Sequence, residues 1–256
     1  MLKNITLLSC LVLPVTAMSA NESKTIIPIQ KGLTVTTALY EANQGDYESI
    51  KTLDARQGTG WRITYSAAFP ARHVGGTIER INSIRFQRDS DLVKAITYRQ
   101  CFESNVEEDY ADTTALGAST QVLRQLKQQG KSPFRLIESV SIFPASAAND
   151  SALGLANVFT EGEAEFKGEL KRIKTQTVAV IVNGRLQQLP TIVAQGNFVA
   201  NGAGQVPATF MFLDDEQNPL ALRWSIGKST LSVVRIDWPQ NEAVASLSQQ
   251  LTQQKH

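Results

Sequence analysis

The chain has 256 residues, enough to bury a core without disulfides, and its 25 Lys and Arg against 24 Asp and Glu leave it close to neutral. It contains no basic tract, which argues against binding to nucleic acid or to anionic membranes. Two histidines and two cysteines are a poor supply of zinc ligands. Composition therefore predicts a protein with no metal site and no cofactor.

Residues 1–20 have the pattern of a secretory signal peptide. Lys3 supplies the positive charge, Ile5 to Val15 form a short apolar run, and small residues follow. The run is shorter than the roughly 18 apolar residues of a membrane span. Cleavage after Ala17 or after Ala20 fits the pattern, and Ala20 is preferred because a polar terminus then follows. We expect an exported, periplasmic protein that associates with the outer membrane or stays in the periplasm.

The two cysteines have different expected fates. Cys10 ends a segment that resembles a lipoprotein cleavage box, but the apolar stretch before it is too short for a signal sequence. Once residues 1–20 are removed, Cys101 has no partner for an intramolecular disulfide. Cys101 is expected to be a buried small side chain, with a reactive thiol as the alternative.

Period-2 alternation predicts strands in the N-terminal half. Leu33 to Thr37 and Trp61 to Tyr65 alternate apolar with polar residues, and 77–87 forms a third such run with Ile78, Arg80, Asn82 and Ile84 on one face. Residues 92–102 fit either a helix or a strand.

One short amphipathic helix is predicted after Ser119, which is a preferred N-cap type. Val122, Leu123 and Leu126 form one apolar stripe at helical spacing. Gly130 stands where a helix-ending glycine belongs. The helix is expected to cover an apolar surface.

Charged residues alternate with small and apolar ones along residues 158–171. The charged positions are Glu161, Glu163, Glu165, Lys167, Glu169 and Lys171. Such alternation predicts one face in water and the other turned inward. Gly162 and Gly168 lie on the inward face, where a long strand could bend. The pattern therefore predicts a curved sheet that is solvated on its convex side.

The remaining chain reads as strands joined by short turns. Thr175 to Val182 leads into Asn183–Gly184, a strong two-residue hairpin signal, and Pro190 marks an edge or bulge in the returning strand. The fold prediction is mainly β with minor α: a curved antiparallel meander or half-barrel with one short covering helix. The expected single domain spans 25–239, and 240–256 is a weakly helical or disordered tail.

Catalytic chemistry finds little support in the sequence. His73 is the only histidine of the expected domain, and Gly117-Ala118-Ser119 supplies half of a nucleophile elbow. Ser119 is better explained as a helix cap, and a hydrolase that uses it is a distant alternative. Asp214 to Glu216 fits a turn better than a calcium site. We expect a protein that is not an enzyme.

Aromatic and small residues on the inward faces form the candidate ligand site. These positions are Trp61, Tyr65, Gly162, Ala164, Phe166, Gly168, Phe210, Phe212 and Trp224. If the curved sheet encloses a cavity, they line a site for an apolar or lipid ligand. If it does not, they are ordinary core.

Four segments resemble an uncharacterised bacterial envelope domain: Gly45 to Ser49, Asp112 to Ser119, Leu213 to Asp215, and Asn218 to Trp224. In some proteins of that family the domain precedes a peptidoglycan-binding OmpA-like domain, which is expected to be absent here, so the resemblance does not imply tethering to the cell wall. It supplies no catalytic motif. The expected meander with a covering helix is also similar, by analogy, to the LolA-like lipoprotein-carrier fold.

Two functions are compatible with these patterns. The first is a non-enzymatic envelope protein that binds an apolar ligand or assists envelope assembly. The alternative is a structural or interaction protein that docks on an envelope partner through a sheet edge near Pro190. Neither involves nucleic acid, and no transmembrane span is expected in the mature chain.

Overall fold

A computed structural model describes residues 25–39, 47–70, 78–103, 105–139, 163–200, 205–227 and 229–240. The expected signal peptide, His73, Gly162 and the tail after residue 240 lie outside this part of the chain. Within it, no helix is long and apolar enough to cross a membrane.

The described residues form thirteen strands and two helices. The strands are β1 Thr34–Leu39, β2 Tyr47–Gln57, β3 Gly60–Pro70, β4 Ile78–Arg88, β5 Thr97–Arg99, β6 Glu107–Asp109, β7 Thr113–Thr114, β8 Lys131–Ser139, β9 Glu163–Val182, β10 Arg185–Ala200, β11 Gln205–Leu213, β12 Ala221–Ile226 and β13 Ser229–Asp237. The helices are α1 Asp89–Lys94 and α2 Thr120–Gln128. The prediction of a mainly β fold with minor α is confirmed.

All thirteen strands join one sheet, in the order β6-β4-β3-β2-β1-β13-β12-β11-β10-β9-β8-β5-β7. Strands β1 to β4 form one antiparallel meander and β9 to β13 form another, and β1 joins them by pairing with β13. A short parallel pairing of β13 with β9 closes the second meander into a ring. The short strands β5, β6 and β7 add parallel pairings that the alternation pattern did not predict.

The two helices match the sequence patterns in different ways. The Ser119 side chain accepts a hydrogen bond from the Val122 N–H at 3.3 Å, as predicted for the N-cap of α2. Gly130 has a φ of +73°, the left-handed conformation that ends a helix. The ambiguous run 92–102 contains both elements, because α1 ends at Lys94 and β5 follows it.

The β9–β10 hairpin turns at Asn183 and Gly184, whose φ values of +46° and +76° fit a type I′ turn. Beyond the turn, 185–190 pair only with β9 among the described strands, whereas 191–199 lie between β9 and β11. Pro190 is the last residue of β10 that has no partner on β11. The N–H that a proline lacks is therefore not needed for pairing between these strands. The residues that follow Pro190, 191–199, are therefore interior, and the edge expected near Pro190 is limited to 185–190.

One strand serves two hydrophobic cores through a bulge at Ile173. In the pairing with β10, Lys174 lies opposite Val193 and Arg172 lies opposite Ala194, so Ile173 is an extra residue. An extra residue reverses which face the following side chains occupy. Before the bulge, the even-numbered side chains of β9 face one core, and after it the even-numbered side chains face the other.

The first core lies under α2. Its members on β9, β10 and α2 are Ala164, Phe166, Leu170, Ile192, Ala194, Phe198, Ala200, Val122, Leu123 and Leu126. The second core is shared with the N-terminal meander, and includes Val180, Val182, Leu189, Leu33, Val35, Leu53, Trp61, Ile63 and Tyr65. Because the two groups lie on opposite faces of β9 and β10, the assignment of β9 side chains to the two cores depends on the bulge.

Deletion of Ile173 should therefore be far more damaging than its replacement. The deletion turns the side chains of one half of β9 away from their core, and each buried aliphatic side chain contributes about 1.5–3 kcal/mol. We expect a loss of at least ~3 kcal/mol in the free energy of unfolding, measured by denaturant titration. Ile173→Thr is the control, because the side chain is 54% exposed and should cost no more than about 0.5 kcal/mol. Equal stability of the two variants would contradict the two-core assignment.

Candidate functional site

The structure divides the predicted ligand-lining residues between the two cores. Trp61 and Tyr65 belong to the second core. The described remainder lies in or beside the first core: Ala164, Phe166, Gly168, Phe210, Phe212 and Trp224. The side chains expected to line one surface are thus brought together in part only.

The aromatic rings of the first core pack against one another. Phe134 and Phe210 meet edge to face with centroids 5.0 Å apart, Phe210 and Phe212 stack at 5.5 Å, and Phe210 lies 6.4 Å from Trp224. All of these side chains are almost completely buried. This arrangement favours ordinary core packing over an open cavity at these positions.

Gly168 is covered by the neighbouring strand. A Cβ atom at this position would lie 2.8 Å from the carbonyl oxygen of Asn197 and 3.0 Å from the ring of Phe198. A larger residue would have to displace backbone and an aromatic ring. The space that a ligand would need is already filled by Phe198.

A second group of residues was not anticipated by the sequence patterns. We call Lys51, Arg85, Arg99, Glu108 and Glu138 the buried charged cluster, because all five are almost completely buried. They come from β2, β4, β5, β6 and β8, respectively. Strand β6, which carries Glu108, stands at one end of the strand order. Buried charges are costly unless they are paired and hydrogen-bonded, so their contacts decide what they do.

Arg85 is the centre of the cluster. Its Nε donates to Glu108 Oε2 at 2.7 Å, its Nη1 donates to the carbonyl oxygen of Arg99 at 2.7 Å, and its Nη2 donates to the carbonyl oxygen of Cys101. The guanidinium also lies over the ring of Phe102, 3.8 Å from the centroid. Arg85 thereby joins β4 and β6, at one end of the strand order, to the end of β5 near the other.

The neighbours of Arg85 on β4 act in the same way. Gln87 Nε2 donates to the carbonyl oxygen of Thr113 at 2.9 Å, and its Oε1 accepts from the Ala115 N–H at 2.9 Å. The hydroxyl of Ser83 donates to the carbonyl oxygen of Glu103. These side chains satisfy backbone groups of residues 99–103 and 105–115, which have little regular strand pairing of their own.

Lys51 contacts the same segment as Arg85 and Gln87. Its Nζ donates to Gln100 Oε1 at 2.6 Å and to the carbonyl oxygen of Ala115 at 2.8 Å, and it lies over the rings of Tyr98 and Phe102. Burial, reinforced by the positive charge of Arg85, lowers the pKa of Lys51 to about 7, although Glu138 acts in the opposite direction. Near neutral pH the amine is thus partly uncharged.

Cys101 and Arg99 meet Glu163 at the rim of the cluster. Arg99 forms an ion pair with Glu163, and the Cys101 thiol donates to Glu163 Oε1 at 3.0 Å. Burial and the charges of Glu138 and Glu163 raise the pKa of the Cys101 thiol well above its ordinary value. A thiol held protonated in this way is a poor nucleophile, as expected for a buried structural cysteine.

The other chemistry considered from the sequence has structural explanations. Ser119 is fully buried and its oxygen caps α2. Lys127 Nζ donates to Asp214 Oδ1 at 2.9 Å and pairs with Glu216 at 3.4 Å, while Asp215 Oδ1 accepts from the Gln217 N–H within a turn. In the described part of the chain, no group of three or more His, Cys, Asp or Glu side chains could hold a metal ion.

Part of β9 lacks a second partner strand in the described sheet. On the side away from β10, β8 pairs with β9 as far as Lys171, and β13 pairs with it only at Ile181 and Val182. Residues 173–180, which we call the open edge, therefore have β10 as their only partner among the described strands. At about 3.3 Å per residue, the open edge is about 26 Å long.

Hydrogen bonds fix both ends of the open edge. The Arg172 N–H donates to the carbonyl oxygen of Gly130 at 2.8 Å, and the Asn183 N–H donates to the carbonyl oxygen of Ile236 at 2.9 Å. Between these points the odd-numbered side chains from Ile173 to Ile181 are exposed, whereas the even-numbered ones pass from exposed at Lys174 to buried at Val180 and Val182. Exposed aliphatic side chains flank the opening, with Ile173 54%, Ile181 40% and Leu186 71% exposed.

Comparison with known proteins gives little further information. No family model matches the chain, and a search of curated proteins found no match. Among solved structures, a candidate exported protein with a YmcC-like fold from Bacteroides fragilis aligns with 84% of this chain and 99% of its own, at 11% identity and a TM-score of 0.33. At that TM-score the likeness does not establish a common fold. The resemblance of segments such as Asn218 to Trp224 to an envelope domain stays a prediction.

The lowered pKa of Lys51 predicts a pH-dependent stability. The unfolded chain keeps this proton up to about pH 10.5 and the folded protein releases it near pH 7, so between these values unfolding takes up a proton. Stability therefore rises with pH in this window, by at most ~1.4 kcal/mol per pH unit for one proton. We expect the free energy of unfolding of the wild type, relative to Lys51→Met, to increase from pH 7 to pH 9.

Urea titrations of both proteins at pH 7, 8 and 9 measure this difference. The titrations stop at pH 9 because the thiol of Cys101 ionises in the unfolded chain above about this pH. Since its pKa is raised in the folded protein, that ionisation lowers the free energy of unfolding as the pH rises. Lys171→Met, at an exposed position, is the matched control and should show no such trend. A constant difference between the wild type and Lys51→Met would refute the assignment.

Proposed function

We propose that the protein is exported to the cell envelope and acts there by binding another protein at the open edge of β9. Export is supported by the signal-peptide pattern of residues 1–20. Binding is supported by the stretch 173–180, which has no second partner among the described strands, since the N–H and C=O groups of a strand edge are a template for an extended segment of a partner. That stretch is the single observation on which the proposed interaction rests.

The open edge of β9 is a better docking site than the uncovered part of β10. On β10, Pro190 has no N–H, and its carbonyl oxygen already accepts from the Asp214 N–H at 2.9 Å. Only 185–189 remain, next to the hairpin turn. The open edge of β9 is longer and contains no proline. This places the proposed contact one strand away from the edge expected near Pro190.

The alternative, an envelope protein that binds an apolar or lipid ligand within the first core, has weaker support. Its expected lining is filled by mutually packed aromatic rings, and Phe198 covers Gly168. Binding at this place would require the core to open. Native mass spectrometry of the purified protein, with lipid extraction, tests this alternative directly.

Photo-crosslinking in cells tests the proposed interaction. A photoreactive amino acid at Thr175 or Thr177, both exposed on the open edge, should give covalent adducts with a partner protein. The same group at Gln195, which is exposed but lies where β10 is paired on both sides, should give none. The intact mass of the recovered protein should also show cleavage after Ala17 or Ala20. Adducts that are equally frequent at all three positions would exclude a specific edge contact.

Gly168→Val distinguishes core from cavity. If the first core is packed as described, the valine displaces Phe198 or the backbone of Asn197 and lowers the free energy of unfolding by roughly 1–3 kcal/mol. The control is Lys167→Val on the exposed face of the same strand, for which we expect a change within about 0.5 kcal/mol. If Gly168→Val is as stable as the wild type and abolishes binding of a lipid or an apolar probe, the result favours a ligand cavity over a packed core.

A further inference from the structure

The open edge lies in a long region without acidic residues. From residue 170 to residue 213 the sequence contains no Asp or Glu, while Lys171, Arg172, Lys174 and Arg185 are basic. Among the described residues, no carboxylate pairs with Lys171, Lys174 or Arg185. The neighbouring cations differ in this respect, since Lys131 pairs with Glu169 and Lys167 pairs with Glu165.

The positive charges stand at one end of the open edge and on both faces of the strand. Lys171 and Lys174 lie opposite Gln195 and Val193, on one face, and Arg172 lies opposite Ala194, on the other. At the opposite end, Val178 and Val180 face the second core, and the exposed aliphatic side chains are Ala179 and, just beyond the open edge, Ile181. The edge therefore changes from basic near Gly130 to aliphatic near the Asn183–Gly184 turn.

We propose that the open edge accepts an extended peptide segment of about eight residues, acidic at the end beside Lys171, Arg172 and Lys174 and aliphatic at the end beside the hairpin turn. This inference rests on the proposed function and specifies the chemistry of the partner. Backbone groups of the segment pair with 173–180, and its carboxylates provide the charge complementarity that selects it. A second copy of this chain paired in parallel would bring the cations of the two edges together, whereas an antiparallel copy would place no carboxylate beside them, because the edge contains none.

Lysines and bulges also protect sheet edges from aggregation, and this provides a competing explanation. The two explanations differ in what they require. Protection works with a charge of either sign, whereas selection of an acidic segment requires a positive one. Reversing the charges at Lys171 and Lys174 keeps the protection and should invert the selectivity.

The experiment uses the purified protein and fluorescent eight-residue peptides of the composition Glu-Asp-Glu-Thr-Val-Thr-Val-Ile, made in this order and in reverse. Two further peptides replace the acids by Lys and Arg or methylate alternate backbone nitrogens. By fluorescence anisotropy at low salt, one order of the acidic peptide should bind at least tenfold more tightly than the basic peptide. Lys171→Glu/Lys174→Glu should reverse that preference, and backbone methylation should weaken binding at least tenfold.

Several results would overturn the inference. Equal binding of acidic and basic peptides removes the charge selectivity, and undiminished binding of the methylated peptide removes strand pairing. The inference also fails if no peptide binds, if vesicles of anionic lipid bind through Lys171 and Lys174 while the peptides do not, or if the protein dimerises through this edge. If adducts at Thr175 map to a partner segment without acidic residues, the inference fails while the proposed function stands. Absence of adducts overturns both.

Discussion

A single extra residue, Ile173, is the constraint on which the two-core arrangement depends. Side chains alternate strictly along a strand, so an unbroken β9 would present all its even-numbered residues to one side. The bulge lets Phe166 and Leu170 face the core under α2 and lets Val180 and Val182 face the core shared with β1 to β3. The same hairpin can then close a ring with β13 and still support the N-terminal meander.

The buried charged cluster has a different role: its side chains form hydrogen bonds with backbone groups of an irregular segment. Residues 99–103 and 105–115 have only short pairings, and their carbonyl groups would be costly to bury without partners. Arg85 and Gln87 supply those partners from β4, and Lys51 supplies another from β2. Buried ion pairs add little net stability compared with apolar packing, but removing one member of a pair is strongly destabilising. The cluster thus favours one particular arrangement of this segment over others.

The sequence predicted elements better than it predicted their faces. The Ser119 cap, the Gly130 helix end and the Asn183–Gly184 turn depend on local conformational preferences, and all three are found in the structure. The face switch at Ile173 was not predictable, because a bulge exists only relative to the register of the partner strand. The regular alternation of even-numbered residues on either side of Ile173 conceals it.

The inward face of β4 was missed for a related reason. Ser83, Arg85 and Gln87 alternate with Ile84 and Phe86, and the usual rule places the apolar set inside. The structure buries the polar set, because the carbonyl groups that it satisfies come from residues far along the chain. No local pattern indicates those partners. The aromatic residues were correctly expected to face inward, but the sequence could not assign Trp61 and Phe210 to different cores.

The open edge follows from the way the ring closes. Strand β8 begins at Lys131, just after α2 and Gly130, and β13 pairs with β9 only at Ile181 and Val182, so neither strand covers 173–180. An opening bounded at both ends differs from an ordinary sheet edge, because a strand much longer than eight residues would collide with β8 or with the end of β13. Open-ended stacking of sheets is therefore disfavoured by geometry as well as by charge. The opening can accept a short extended segment, and the basic residues at one end of the opening favour a segment that is acidic at that end.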